Sequence, residues 1–203
     1  MTGFLRRALR RMRHGDPIVV VSGLPRSGTS MCMKMLEAGG VPLVQDGLRE
    51  ADEDNPKGYF ELEKVKELDK ADDKAWLVGA RGKAVKIISF LLKDLPDDHN
   101  YKILFMVRNI EEVLASQAKM LERRGEENRT SDERMTDIYA GHLAQVRRLM
   151  RMSPHFEVMD IKYKEAMGDA RGTAERIRDF LGMPLDLDKM AAAVDENLYR
   201  NRR

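Results

Sequence analysis

The residues most able to do chemistry in this 203-residue chain fall in two short stretches, each placed just after an apolar run. The first reads Gly23-Leu24-Pro25-Arg26-Ser27-Gly28-Thr29-Ser30. Its glycines and final hydroxyl match the phosphate-binding template G-x-x-x-x-G-K-[ST], with Thr29 where the template has lysine. The backbone N–H groups of such a loop converge on an anion, and a helix starting there adds favourable potential. Anion binding therefore survives the missing lysine, and the positive charge has moved inside the loop to Arg26. The second stretch ends an apolar run at Val107 and continues with Arg108. Nucleoside-triphosphatases place a metal-holding aspartate downstream of the loop. An arginine at the end of this run suits a second phosphate instead. Two basic anchors without evident metal ligands do not look built for triphosphate hydrolysis. The competing reading is a tight turn that binds nothing.

The flanking pattern says what must position these residues. Ile18-Val19-Val20-Val21 reads as a buried strand. A helix over residues 29–38 follows the loop, stopped by Gly39-Gly40. Residues 41–60, with Pro42, Gly47, Pro56 and Gly58, read as an irregular excursion, and 61–73 as a charged helix. Further strands are predicted over 84–88, 102–107 and 156–161. Asn109 with Glu112, and Thr130 with Glu133, have the spacing of capping boxes opening two helices. The second helix carries the stripe Met135, Ile138, Tyr139, His142, Leu143, Val146, Leu149 and Met150. Helices over 173–181, ended by Gly182 and Pro184, and 187–194 complete the chain. Strands alternating with helices predict an α/β fold: a three-layer P-loop-type domain whose central sheet, mostly parallel and of about four to five strands, is flanked by helices. Ligands of such sheets sit outside the carboxyl ends of the strands, which points to the loops after the first and third strands.

The segment Pro25-Arg26-Ser27-Gly28-Thr29-Ser30 resembles the 5′-phosphosulfate loop of sulfotransferases, P-loop-fold enzymes that use 3′-phosphoadenosine 5′-phosphosulfate. The family's second signature, an arginine at a strand end and a serine eight residues later, is matched by Arg108 and Ser116. Asn55-Pro56-Lys57-Gly58-Tyr59-Phe60-Glu61, the Lys86 strand running on to Leu95-Pro96, and Leu198-Tyr199-Arg200-Asn201 look like bacterial sulfotransferase-like sequences, so the resemblance runs from about Asp16 to the end. It implies that Arg26, Ser27, Gly28, Thr29 and Ser30 hold the 5′-phosphosulfate, that Arg108 and Ser116 grip the 3′-phosphate, and that Arg26 also neutralises the leaving group. A guanidinium suits phosphate because it binds two oxygens at once.

The proton acceptor departs from the family pattern. Cytosolic sulfotransferases carry Lys-x-His near a strand end; here Lys86-Ile87-Ile88 puts isoleucine at the histidine position. Protein-tyrosine sulfotransferases use a glutamate downstream of the loop. Asp46, Glu50, Asp52, Glu53, Asp54 and Glu61 occupy or follow that region, and Glu61 is favoured because it ends a glycine-aromatic turn and opens a helix. Lys86 is a second candidate, holding developing charge. His99 and His142 read as structural or solvated. Cys32, just past the loop, reads as a buried helix cysteine rather than a reactive thiolate.

Composition bounds the rest. A net charge of +2, from 36 basic against 34 acidic residues, gives no footprint of a nucleic-acid-coating protein. A single cysteine excludes an internal disulfide framework and a multi-cysteine zinc site, and fits a reducing, cytoplasmic setting. No apolar run is long enough to span a membrane. Residues 1–15 read as a basic extension ahead of one domain, 16–203. Arg6 to Arg13 contains five arginines, and Leu5, Ala8, Leu9 and Met12 fall at helical spacing opposite them. That segment is either a surface-lying helix making peripheral contact with anionic lipid or a solvated extension. The expected activity is sulfuryl transfer to a hydroxyl or amine of an unknown acceptor, whose pocket would be built from residues 41–60 and 122–135. The alternatives are a non-catalytic nucleotide-binding module and a kinase with an altered loop.

Overall fold

The computed structural model of the chain describes residues 3–46, 60–70, 73–126 and 130–194. The segment 55–59, the tail 198–201 and the acidic residues 50–54 lie outside the described residues. In order, the elements are α1 (Gly3–His14), β1 (Ile18–Gly23), α2 (Thr29–Ala38), α3 (Glu63–Lys66), β2 (Ala84–Lys86), β3 (Tyr101–Val107), α4 (Ile110–Arg124), α5 (Asp132–Met152), β4 (Phe156–Lys162), α6 (Tyr163–Gly168), α7 (Ala170–Leu181) and α8 (Leu187–Ala192). Two 3-10 turns, Ala75–Ala80 and Ser89–Asp94, flank β2.

The four strands form one parallel sheet in the order β2-β1-β3-β4. All six residues of β1 are buried, as its β-branched run requires for a central strand. Alternate side chains sort to the two faces. Val19, Val21, Leu104, Met106 and Ile161 pack with Cys32, Met33, Met35 and Leu36 of α2 and with Ala174, Ile177 and Met190 of α7 and α8. Ile18, Val20, Val85, Ile103 and Phe105 face Val146 and Met150 of α5, and Leu77 and Leu92 of the 3-10 turns. The result is three layers, α/β/α. The chain goes from β1 outward to β2 and returns across β1 to β3, so the strand order reverses between β1 and β3. That reversal leaves a crevice at their carboxyl ends.

Several boundaries differ from the sequence expectation, each for a visible reason. Among the described residues of the helix expected over 61–73, only the single turn Glu63–Lys66 is helical, and only Val65 and Leu68 there are buried. The strand expected over 84–88 ends at Lys86; Ile87 still donates to the Val21 carbonyl before the chain turns into its 3-10 segment. Neither capping box forms. Asn109 does cap α4, but by accepting from Glu111 N at 2.7 Å, and Glu112 turns elsewhere. Ser131, not Thr130, caps α5 by accepting from Arg134 N. Asp169 caps α7, which starts three residues ahead of the expected position, and α8 stops two residues short of residue 194. Helix α6 has no counterpart in the sequence reading. It begins directly after β4 with Tyr163, which is buried against the loop that follows β1.

Candidate active site

The loop after β1 is shaped by backbone conformations that side chains resist. Gly23 leaves the strand at φ 150°, where a Cβ would lie 2.5 Å from Ser27 Oγ and 2.8 Å from the Met106 carbonyl oxygen. Gly28 closes the loop at φ 104°, with a Cβ position 2.5 Å from the Tyr163 ring. Between them Arg26 itself stands at φ 66°, a left-handed conformation costing about 1 kcal/mol or more for a residue with a side chain. Thr29 then begins α2, whose N-terminus has no side-chain cap and no acid in its first turn. Ser27 is 1% exposed, and its Oγ is buried without a hydrogen-bond partner among the described residues. An uncapped helix start beside an orphaned hydroxyl is a set of donors waiting for an acceptor, which an anionic oxygen would supply.

The second cluster closes on the first. Arg108 follows β3, and Glu112 and Ser116 come four and eight residues later, so the two share one face of α4. Arg108 Nη1 donates to the Arg26 carbonyl at 3.0 Å, and its Nε donates to Glu112 Oε2 at 3.0 Å. The Arg108 guanidinium lies 4.2 Å from the centre of the Tyr163 ring. Arg26 Nε in turn donates to Ser116 Oγ at 3.1 Å. Two residues ninety positions apart thus meet, and loop, β3 end and α4 form one bonded unit. Both Arg108 and Glu112 have side chains only 7% exposed. This is why Glu112 leaves its capping position: a buried guanidinium without a countercharge would cost several kcal/mol.

Glu61 and Lys86 make a third feature. Lys86 ends β2 beside Val21, two residues before Gly23. Its Nζ donates to Glu61 Oε1 at 3.1 Å, with the lysine side chain 8% exposed and the glutamate 23%. Glu61 does not open a helix, as α3 starts at Glu63; it follows Phe60, which is held at φ 51°. Asp46 also belongs here, accepting from Glu63 N through its carboxylate and donating from its N–H to the Glu61 carbonyl.

One pair escaped the sequence reading. Ser89, buried in the turn after β2, is hydrogen-bonded to His142 Nε2 at 2.8 Å, and the imidazole stacks on Phe90 at 3.6 Å. Burial holds His142 below the usual histidine range, so the ring is neutral at pH 7. Its position on an apolar stripe was the only available signal, and that signal points to packing. His99 is buried and paired with Asp98. Cys32 is wholly buried, and burial pushes its thiol up to about 12, so it is no nucleophile.

An α/β/α sandwich with a glycine-bounded loop at its strand reversal defines the fold class, and comparison with known proteins narrows it. The model of the sulfotransferase family matches residues 60–187, more than half of the chain; the chain belongs to that family. The match contains Glu61, Lys86, Arg108 and Ser116, and begins after the Gly23–Ser30 loop. Among solved structures, the chain is similar to a sulfotransferase domain from the curacin biosynthetic pathway, with a TM-score of 0.53 at 14% identity, over 90% of this chain and 89% of that one. That likeness is one of fold. No curated protein matches the sequence.

Proposed function

We propose that the protein moves a sulfuryl group from 3′-phosphoadenosine 5′-phosphosulfate to a hydroxyl or amine of an unknown acceptor, by in-line transfer without a metal. The observation that carries this reading is the bonded unit of Arg26, Arg108 and Ser116 closing over the uncapped α2 terminus and the orphaned Ser27 hydroxyl. The donor set fits the ligand: two guanidiniums, four hydroxyls and a helix start on one crevice suit a nucleotide with phosphate at two positions. When bound, such a donor supplies an activated sulfuryl group on a phosphate leaving group.

In this reading Ser27, Gly28, Thr29 and Ser30 hold the 5′ end through backbone N–H and hydroxyl donors. Arg26 neutralises charge on the departing phosphate oxygen, and Arg108 with Ser116 fixes the 3′-phosphate. These are electrostatic tasks for donors fixed in advance, and a strained Arg26 held by two bonds is fixed in advance. Glu61 takes the acceptor's proton, and Lys86 steadies the carboxylate and the charge on the transferring group. The wholly buried thiol and the single cysteine support a reducing, cytoplasmic setting.

Thermal unfolding with 3′-phosphoadenosine 5′-phosphate, set beside ATP with Mg²⁺, tests the reading. At a hundred times its dissociation constant, the bisphosphate stabilises by about 2.7 kcal/mol. Arg108→Ala abolishes that shift, and Arg26→Ala abolishes transfer while the fold persists. Stabilisation by ATP with Mg²⁺ alone would replace the sulfotransferase reading with a kinase. Binding of the bisphosphate without turnover on any acceptor would leave a nucleotide-binding module.

A further inference from the structure

Helix α1 is attached to the domain by the wrong face for a soluble protein. Arg10, on its polar side, donates from Nε to Asn100 Oδ1 at 3.0 Å, and from Nη2 to the carbonyls of Asp97 at 2.6 Å and His99 at 3.0 Å. Asn100 Nδ2 returns bonds to the carbonyls of Arg10 and Gly15, both at 3.1 Å. At about 100° per residue, Leu5, Ala8 and Met12 lie roughly 140–160° around the helix from Arg10, and Leu9 about 100°. They therefore face away from the body. Leu5 is 51% exposed, Leu9 49% and Met12 77%. A surface helix ordinarily turns such a stripe toward the core and its charges outward; here the orientation is reversed.

Charge identifies the occupant of that stripe. The chain's formal net charge is +2, and its first fifteen residues hold five arginines and no acid. The remainder, residues 16–203, therefore sums to 2 − 5 = −3. Arg11 and Arg13 are exposed beside the apolar strip, and Arg11 already meets Asp16, the first acid of the chain. A second copy laid on this strip would bring the exposed Arg11 and Arg13 against their own counterparts, with no acid in either helix. An anionic bilayer accepts four apolar side chains at its acyl boundary and offers headgroups to the exposed Arg11 and Arg13.

We propose that α1 docks the protein on the surface of an anionic membrane, with Leu5, Ala8, Leu9 and Met12 inserted and Arg11 and Arg13 at headgroup level. The proposal is independent of the donor chemistry argued above. It is tested by flotation of the full chain with vesicles of phosphatidylcholine alone, or of phosphatidylcholine with phosphatidylserine. Binding is expected only to the anionic vesicles, with affinity falling as salt rises. Arg13→Gln weakens binding about fivefold, the worth of one arginine near the surface. Leu9→Glu with Met12→Glu abolishes it while the unfolding midpoint stays at the wild-type value, since both side chains face solvent. Absence of vesicle binding, equal binding to neutral vesicles, or full binding by the double variant overturns the proposal. So does sedimentation as a dimer that the double variant dissociates, which assigns the strip to a second copy.

Discussion

Replacing Gly28 by alanine tests the geometry of the loop most directly. The residue stands at φ 104°, where a side chain costs about 1–2 kcal/mol. The new methyl would lie 2.5 Å from Tyr163 Cδ2 and 2.9 Å from Cε2. Tyr163 is 5% exposed and cannot step aside into solvent, so forcing it adds about 1–3 kcal/mol of overpacking. The sum is near 3 kcal/mol, which lowers the melting temperature of a chain of this length by roughly 6–12 °C. The consequence for binding is larger than for stability. Tyr163 lies under the Arg108 guanidinium, so a displaced ring moves the arginine that is proposed to hold the 3′-phosphate. Gly125→Ala is the matched control: Gly125 caps α4 at φ 66° with no atom of the described residues near its Cβ position, so the conformational cost is the one expected. Differential scanning fluorimetry with and without the bisphosphate reads both effects. If Gly28→Ala melts no lower than Gly125→Ala and still responds to the bisphosphate, the steric argument is refuted.

Other outcomes follow from the same contacts. Arg108→Lys keeps the charge but cannot serve Glu112 and the Arg26 carbonyl together; bisphosphate affinity, read by calorimetry, falls about tenfold or more. Glu61→Gln lowers the transfer rate with bisphosphate affinity unchanged, and an unchanged rate would remove Glu61 from the chemistry. His142 and His155 are both held below the ordinary histidine range, chiefly by burial. The unfolded chain therefore binds protons that the folded one refuses, so stability is full above about pH 6.5 and declines as pH falls below it. Urea midpoints at about pH 7.5 and about pH 5.5 check this, and His155→Gln should flatten the difference.

How far the sequence could be read depended on whether the governing contact was local. The β1 loop and α2 were legible because a β-branched run, two glycines and a double-glycine stop are all decided by neighbouring residues. The i, i+4 alignment of Glu112 and Ser116 on α4 follows from helix geometry alone, although the role of Ser116 rested on resemblance. The bond from Arg26 to Ser116 joins distant segments, and nothing in either segment announces it. Glu112 was misplaced for the same reason: the capping pattern is local, but a buried arginine outbids it. In α1 the amphipathic pattern was plain, yet a pattern cannot say which face meets the protein. That was decided by Asn100, far along the chain.

The polarity of the sheet gives α1 a consequence for electrostatics at a distance. Asp97, His99, Asn100 and Gly15 all stand at the amino ends of the strands, whereas Arg26 and Arg108 stand past the carboxyl ends. Six residues of β1 separate the two levels by about 20 Å. The Debye length at physiological ionic strength is about 8 Å. A protein lying on α1 therefore keeps its anion crevice more than two screening lengths from a negative surface. The doubly phosphorylated donor proposed above would be repelled by that surface at close range, but at this distance it would reach the crevice almost unopposed.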